Sequence, residues 1–135
     1  MTESKRPPTA AIDFDGVIVD YSDGWKGVGK FGAVLPGAKD ALQKLKKEGW
    51  CIIIFTCRSE VALIADFLKR EGIPFDQINK NENLPGTVPG YGHAKVIADV
   101  YLDDRAIFFN GDWEKATSSI KRFMKTYGGL QFIKE

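Results

Sequence analysis

A chain of 135 residues with 44% hydrophobic and 27% charged side chains has the size and balance of one soluble globular domain. Nineteen Lys and Arg against 18 Asp and Glu leave a net charge of +1, so the whole-chain charge points to neither a nucleic-acid nor a membrane partner. The start, Met1 to Thr9, is polar and contains proline, unlike a secretory signal, and no apolar run reaches the roughly 18 residues of a membrane span. Cys51 and Cys57 are too few for a disulfide framework, so reduced thiols in a cytoplasmic protein are expected.

Residues 1–8 read as a loose tail and residues 9–135 as a single domain. Thr9 to Val19 reads as a first buried strand, apolar except for Asp13 and Asp15. The stretch from Asp20 to Gly37 is rich in glycine and carries Tyr21, Trp25 and Phe31, which suits turns or a small hairpin. Pro36-Gly37 opens a helix with Ala38, Ala41, Leu42 and Leu45 at helical spacing and Gly49 as its C-terminal stop. Trp50 to Phe55 is a continuous β-branched and aromatic run, expected for a central parallel strand covered on both faces. Ser59 is the predicted cap of a second amphipathic helix that ends at Gly72.

Pro74 to Asn79 leaves room for only a short third strand. Asn79 to Gly92, with two prolines and three glycines, reads as a long loop of the kind that is often functional. A helical piece around His93 to Ile97 precedes a further strand, Asp99 to Leu102, ending in Asp103-Asp104. Ile107 to Phe109 offers a fifth short strand, and Asp112 to Tyr127 a last helix with Trp113, Ile120, Phe123 and Met124 facing the core. Alternating strands and helices predict an α/β fold, a parallel sheet of about five strands with helices on both faces and no second domain.

Three apolar strands thus end in polar groups: Asp13 and Asp15, Thr56, and Asp103 and Asp104. In an open parallel sheet, ligands bind at the carboxyl ends of the strands, so these groups should converge on one crevice. Asp13 and Asp15, two positions apart, share a strand face, where their like charges call for a cation, a phosphate-directed nucleophile, or both.

Asp13-x-Asp15-Gly16-Val17, the strand ending in Thr56, an isolated Lys95 and the Asp103-Asp104 ending resemble, in order, the four motifs of the haloacid dehalogenase (HAD) superfamily. With only a flap after the first strand and no room for a large cap, the chain is similar to its small capless phosphatases. That resemblance implies a Mg²⁺-dependent phosphohydrolase cleaving a phosphomonoester through an aspartyl-phosphate. Asp13 corresponds to the nucleophile and Asp15 to the general acid and then base, with its backbone carbonyl the usual metal contact. Thr56 would hydrogen-bond the phosphoryl group, and Lys95 would neutralise its charge, with Lys80 as the competing lysine. Gly16, Cys57 and Arg58 are further candidate phosphate contacts, Arg58 being equally able to pair with an acid. Asp13, Asp15, Asp103 and Asp104 form the candidate metal set, with Asp103 and Asp104 undecided as direct ligand.

Around this core, Trp25, Lys26, Lys30 and Phe31 of the flap could touch substrate or simply pin their own loop. His93, the only histidine, reads as solvent-facing, and Cys57 has no evident histidine to activate it. Capless members leave the site open to large substrates, so the resemblance admits a phosphoprotein, a nucleic-acid 3′-phosphate or a phosphorylated metabolite. The near-neutral charge counts against a dedicated nucleic-acid binder. A receiver-like, non-catalytic Mg²⁺- and phosphate-binding module is the alternative, disfavoured because its phosphoacceptor normally ends a later strand.

Overall fold

The computed structural model describes residues 6–81 and 95–130. Four strands, β1 (Thr9–Asp13), β2 (Cys51–Phe55), β3 (Gln77–Ile78) and β4 (Val100–Leu102), form one parallel sheet in the order β3-β2-β1-β4. Three helices accompany it among the described residues: α1 (Ala38–Lys47), α2 (Val61–Glu71) and α3 (Trp113–Tyr127). This is an α/β, Rossmann-like domain, its sheet among the described residues one strand short of the five expected. Ile107 to Phe109 forms no strand. A turn at Asp104-Arg105 and a bend at Asn110-Gly111 leave the segment too short to run beside β4, and the Phe108 side chain is 90% exposed.

The isoleucine run that marks β2 also explains its central place. Ile52, Ile53 and Ile54 are fully buried, so both faces of the strand are covered, as parallel pairing on two sides requires. Residues 10 and 12 of β1 and 52 and 54 of β2 point to one face, where Leu42 of α1 and Ile64 and Leu68 of α2 cover them. The two crossovers, β1-α1-β2 and β2-α2-β3, advance in the same direction across the sheet. Right-handed connections that advance together place their helices on the same side. Alternate residues Cys51, Ile53 and Phe55 face the other way, against Val96.

Helix ends follow local chemistry. Gly49, in the left-handed region at φ 93°, lets its own N–H reach the Lys46 carbonyl and that of Trp50 the Leu45 carbonyl, closing α1 and turning the chain into β2. Ser59, the predicted cap of α2, is not its cap: Glu60 occupies that position and makes no side-chain cap bond, its carboxylate being drawn to Arg58 and Gly29. α3 begins as expected at Asp112, whose side chain accepts from the Lys115 N–H at 3.0 Å.

Three further expectations change. β1 ends at Asp13 rather than at Val19, because the Phe14 carbonyl accepts from the N–H groups of Val17, Ile18 and Val19 and winds the chain into a tight turn. The apolar residues of that turn, Phe14, Ile18 and Val19, are buried in the main core with Ile12, Ile54 and Leu68. Lys95 to Ile97 is not helical, while residues 93 and 94 of that expected piece lie outside the described residues. On α3 the buried residue is Ala116, whereas Trp113, Ile120 and Met124, expected in the core, are 71%, 47% and 51% exposed. Arg6, expected in a loose tail, is tied to Asp99 by two contacts of 2.6 and 2.7 Å, and Asp99 also accepts the Thr9 N–H.

Candidate active site

The chain runs from β1 outward through β2 to β3, then returns to add β4 on the other side of β1. This reversal makes the gap between the carboxyl ends of β1 and β4 the topological switch point, where α/β sheets bind ligands. Ile12 is in register with Leu102, so the next residues on each strand, Asp13 and Asp103, leave the sheet side by side. Carboxylate oxygens of Asp13, Asp103 and Asp104 come within 4.8 Å of one another. Burial, then a hydrogen bond to Asp104 and the charges of both neighbours, pushes the Asp13 carboxyl up to about 8.

Three carboxylates so close repel unless a proton or a cation lies among them. The donor set is all oxygen, which suits a hard divalent ion such as Mg²⁺. Gly16 closes the cluster: at φ 84° its backbone turns tightly, and a Cβ there would overlap the Asp104 carboxylate. The Gly16 N–H itself donates to the Val19 carbonyl at 2.8 Å, so its place here is close approach.

Thr56 stands just beyond the end of β2, 8% exposed. Its Oγ1 accepts the Arg58 N–H at 3.1 Å, which leaves the hydroxyl proton to donate elsewhere. Asn79, just past β3, holds the Thr56 backbone from both directions, accepting its N–H at 2.8 Å and donating to its carbonyl at 3.0 Å. Nothing in the sequence singles out Asn79, apart from its being an asparagine at a strand end. Its φ of 58° is a left-handed conformation that asparagine tolerates better than most residues.

The remaining candidates fall in different places. Asp15 lies in the turn after β1, paired with Arg58. Lys95 is exposed, with its ammonium 4.8 Å from the centre of the Tyr101 ring. Lys80, also exposed, follows Asn79 and so lies next to the Thr56 end of the sheet. Cys57 is exposed and Cys51 buried on β2. His93 lies outside the described residues. In the flap, Phe31 packs edge-on against Phe14 and Phe67 at 5.1 Å each, so it pins its own loop to the core. Lys26 pairs with Asp23 at 3.3 Å. A cleft of about 440 Å³ opens beside the acidic cluster, lined by Gly16, Tyr21, Asp104, Arg105 and Tyr127 among others.

No protein-family model matches the chain, and no curated protein matches it. Among solved structures, the chain is similar to a conserved protein from Bacteroides thetaiotaomicron, with 28% sequence identity over 90% of this chain and 98% of that one and a TM-score of 0.58. The likeness accords with the Rossmann-like architecture described above. No helix among the described residues is long and apolar enough to cross a membrane.

Proposed function

We propose that the chain is a Mg²⁺-dependent phosphohydrolase of the HAD type, cleaving a phosphomonoester in the reducing cytoplasm. The observation that carries this reading is the meeting of Asp13, Asp103 and Asp104 at the β1/β4 switch point, with Thr56 ending the adjacent strand. Mg²⁺ bound by these carboxylates would favour the ionised form of Asp13 and offset the repulsion between it and an anionic substrate.

A carboxylate oxygen of Asp13 attacks phosphorus, and the bond from phosphorus to the ester oxygen breaks. Asp15 protonates that departing oxygen, leaving an aspartyl-phosphate and a free alcohol. Asp15, now a carboxylate, takes a proton from water as the water oxygen attacks phosphorus. The P–O bond to Asp13 breaks, releasing inorganic phosphate and restoring both acids. The Thr56 hydroxyl donates to a phosphoryl oxygen, and Lys95 or Lys80 supplies positive charge.

The sheet order supports this reading over the receiver-like one: receiver domains follow the 2-1-3-4-5 order, whereas here the third strand pairs with the second. The test is hydrolysis of p-nitrophenyl phosphate and a panel of phosphomonoesters with Mg²⁺ or with chelator. Wild type should turn over only with the metal, and Asp13→Asn and Asp15→Asn should each lose at least about 10²-fold. No turnover at high enzyme and metal, or full Mg²⁺-dependent activity in Asp13→Asn, overturns the assignment.

A further inference from the structure

Arg58 has the pattern of a phosphate ligand in the sequence, a cation two residues past Thr56, but its surroundings give it another task. Its side chain is 6% exposed. Nε donates to Asp15 Oδ2 at 2.7 Å and one terminal nitrogen to Asp15 Oδ1 at 3.0 Å, the bidentate fork that fixes a carboxylate in angle as well as distance. That same nitrogen donates to the Lys30 carbonyl at 3.2 Å. The other terminal nitrogen donates to the Gly27 carbonyl and to Glu60 Oε2, both at 3.3 Å. A guanidinium has five N–H groups, and these five contacts engage one each.

The group is held from every side. Its carbon lies 4.9 Å from the centre of the Phe31 ring, and Glu60 reaches back to accept the Gly29 N–H at 2.9 Å. Arg58 therefore binds the flap segment from Gly27 to Phe31 and the Asp15 carboxylate into one unit. Every contact that orients Asp15 through this cation also orients the flap.

We propose that Arg58 is a positioning residue for proton transfer, which aims the Asp15 carboxylate and couples it to the flap, and that it does not grip the phosphoryl group. The proposal rests on the reading of Asp15 as the proton donor to the departing oxygen. It separates Arg58 from Thr56, its neighbour two positions earlier, which keeps a donor for phosphate. Lysine cannot replace it, because an ammonium presents a point charge where the fork supplies two parallel bonds.

The test uses leaving groups of different basicity. p-Nitrophenolate departs with little need of a proton, whereas the alkoxide from glycerol 2-phosphate needs one. Arg58→Lys should lower kcat/KM for glycerol 2-phosphate by about 10²-fold, within the range of general acid catalysis, and for p-nitrophenyl phosphate less than about 5-fold. Inhibition by inorganic phosphate should stay within about 2-fold of wild type, and in an Asp15→Asn background Arg58→Lys should add almost nothing. Equal losses on both substrates, with or without weakened phosphate inhibition, overturn the proposal, since they indicate phosphate binding or general disruption. Should Arg58→Lys fail to fold, Glu60→Gln, which loosens the cation without touching Asp15, should show the same selectivity at smaller size; an equal loss again overturns it. A wild type inactive on both esters with Mg²⁺ overturns the phosphohydrolase reading and this proposal with it, whereas an active wild type with non-selective variants overturns only the role of Arg58.

Discussion

The Asn79 side chain forms a reciprocal pair of hydrogen bonds with the Thr56 backbone, N–H to Oδ1 at 2.8 Å and Nδ2 to carbonyl at 3.0 Å, so the end of β3 sets where β2 delivers its hydroxyl. Asn79→Ala removes both bonds and puts a Cβ without a compensating amide at φ 58°. Each buried bond contributes about 1 kcal/mol, so a loss of about 2–3 kcal/mol is expected in urea unfolding. Asn79→Gly tolerates the φ but lacks the amide. It should recover part of the stability and none of the activity, because Thr56 stays unanchored. Activity restored by glycine alone would show that the backbone turn, and not the amide, places Thr56.

Asp13 gives the metal-free protein a distinct pH response. Burial lifts its carboxyl to about 8 in the native state, while in an unfolded chain it titrates at about 3.9. Between those values the native state holds a proton that the unfolded chain has released, so stability declines as pH rises through that window. In chelator, the melting temperature should therefore fall from pH 5 to pH 8, and Asp13→Asn should flatten the decline. Mg²⁺ should raise the melting temperature more at pH 8 than at pH 5, since it then has less of a bound proton to displace. A melting temperature that does not change with pH in chelator contradicts the placement of Asp13.

Gly16 cannot carry a side chain without displacing Asp104. Gly16→Ala combines that overlap with a left-handed φ of 84°, a strain of about 1–3 kcal/mol. Thermal melts should register the strain, and Mg²⁺ titrations of activity should shift to concentrations at least about 10-fold higher. Unchanged metal dependence would remove Asp104 from the metal set.

Asp76 performs a structural task. Its carboxylate accepts the Ile52 N–H at 2.7 Å and is paired with Lys46 at 2.8 Å, joining β2 to the approach to β3. Asp76→Ala should cost about 1–3 kcal/mol, because the Ile52 N–H then loses its partner next to fully buried neighbours. kcat per folded molecule should be unchanged, which separates this acid from Asp13 in one comparison.

The sheet and the acidic cluster were legible because they come from short-range patterns. A short β-branched run such as Ile52-Ile53-Ile54 favours a covered strand, and apolar strands that finish in aspartates point to the rim of a parallel sheet. The partner of Asp15 was not legible. Arg58 is 43 positions away, and an arginine behind a strand reads equally as an anion ligand until its five donors are assigned. The Phe14 to Val19 turn misled for a related reason: apolar composition reports burial, and here the buried residues form a turn. The face of α3 misled in the opposite sense, since its apolar spacing implies a covering surface that Trp113, Ile120 and Met124 do not receive.

β1 lies between β2 and β4, although it is the first of the four in the chain. Thr9 meets Asp99 across 90 positions of sequence, and Ala10, Ala11 and Ile12 pair with residues 100 to 102. During vectorial synthesis the strand carrying Asp13 therefore emerges long before the neighbour that completes its second edge. Nascent chains stalled between residues 60 and 95 present that edge unpaired, a state in which association with other chains competes with folding. The residues that assemble the acidic cluster meet only when the last strand arrives, so metal binding on the ribosome would report completion of the sheet.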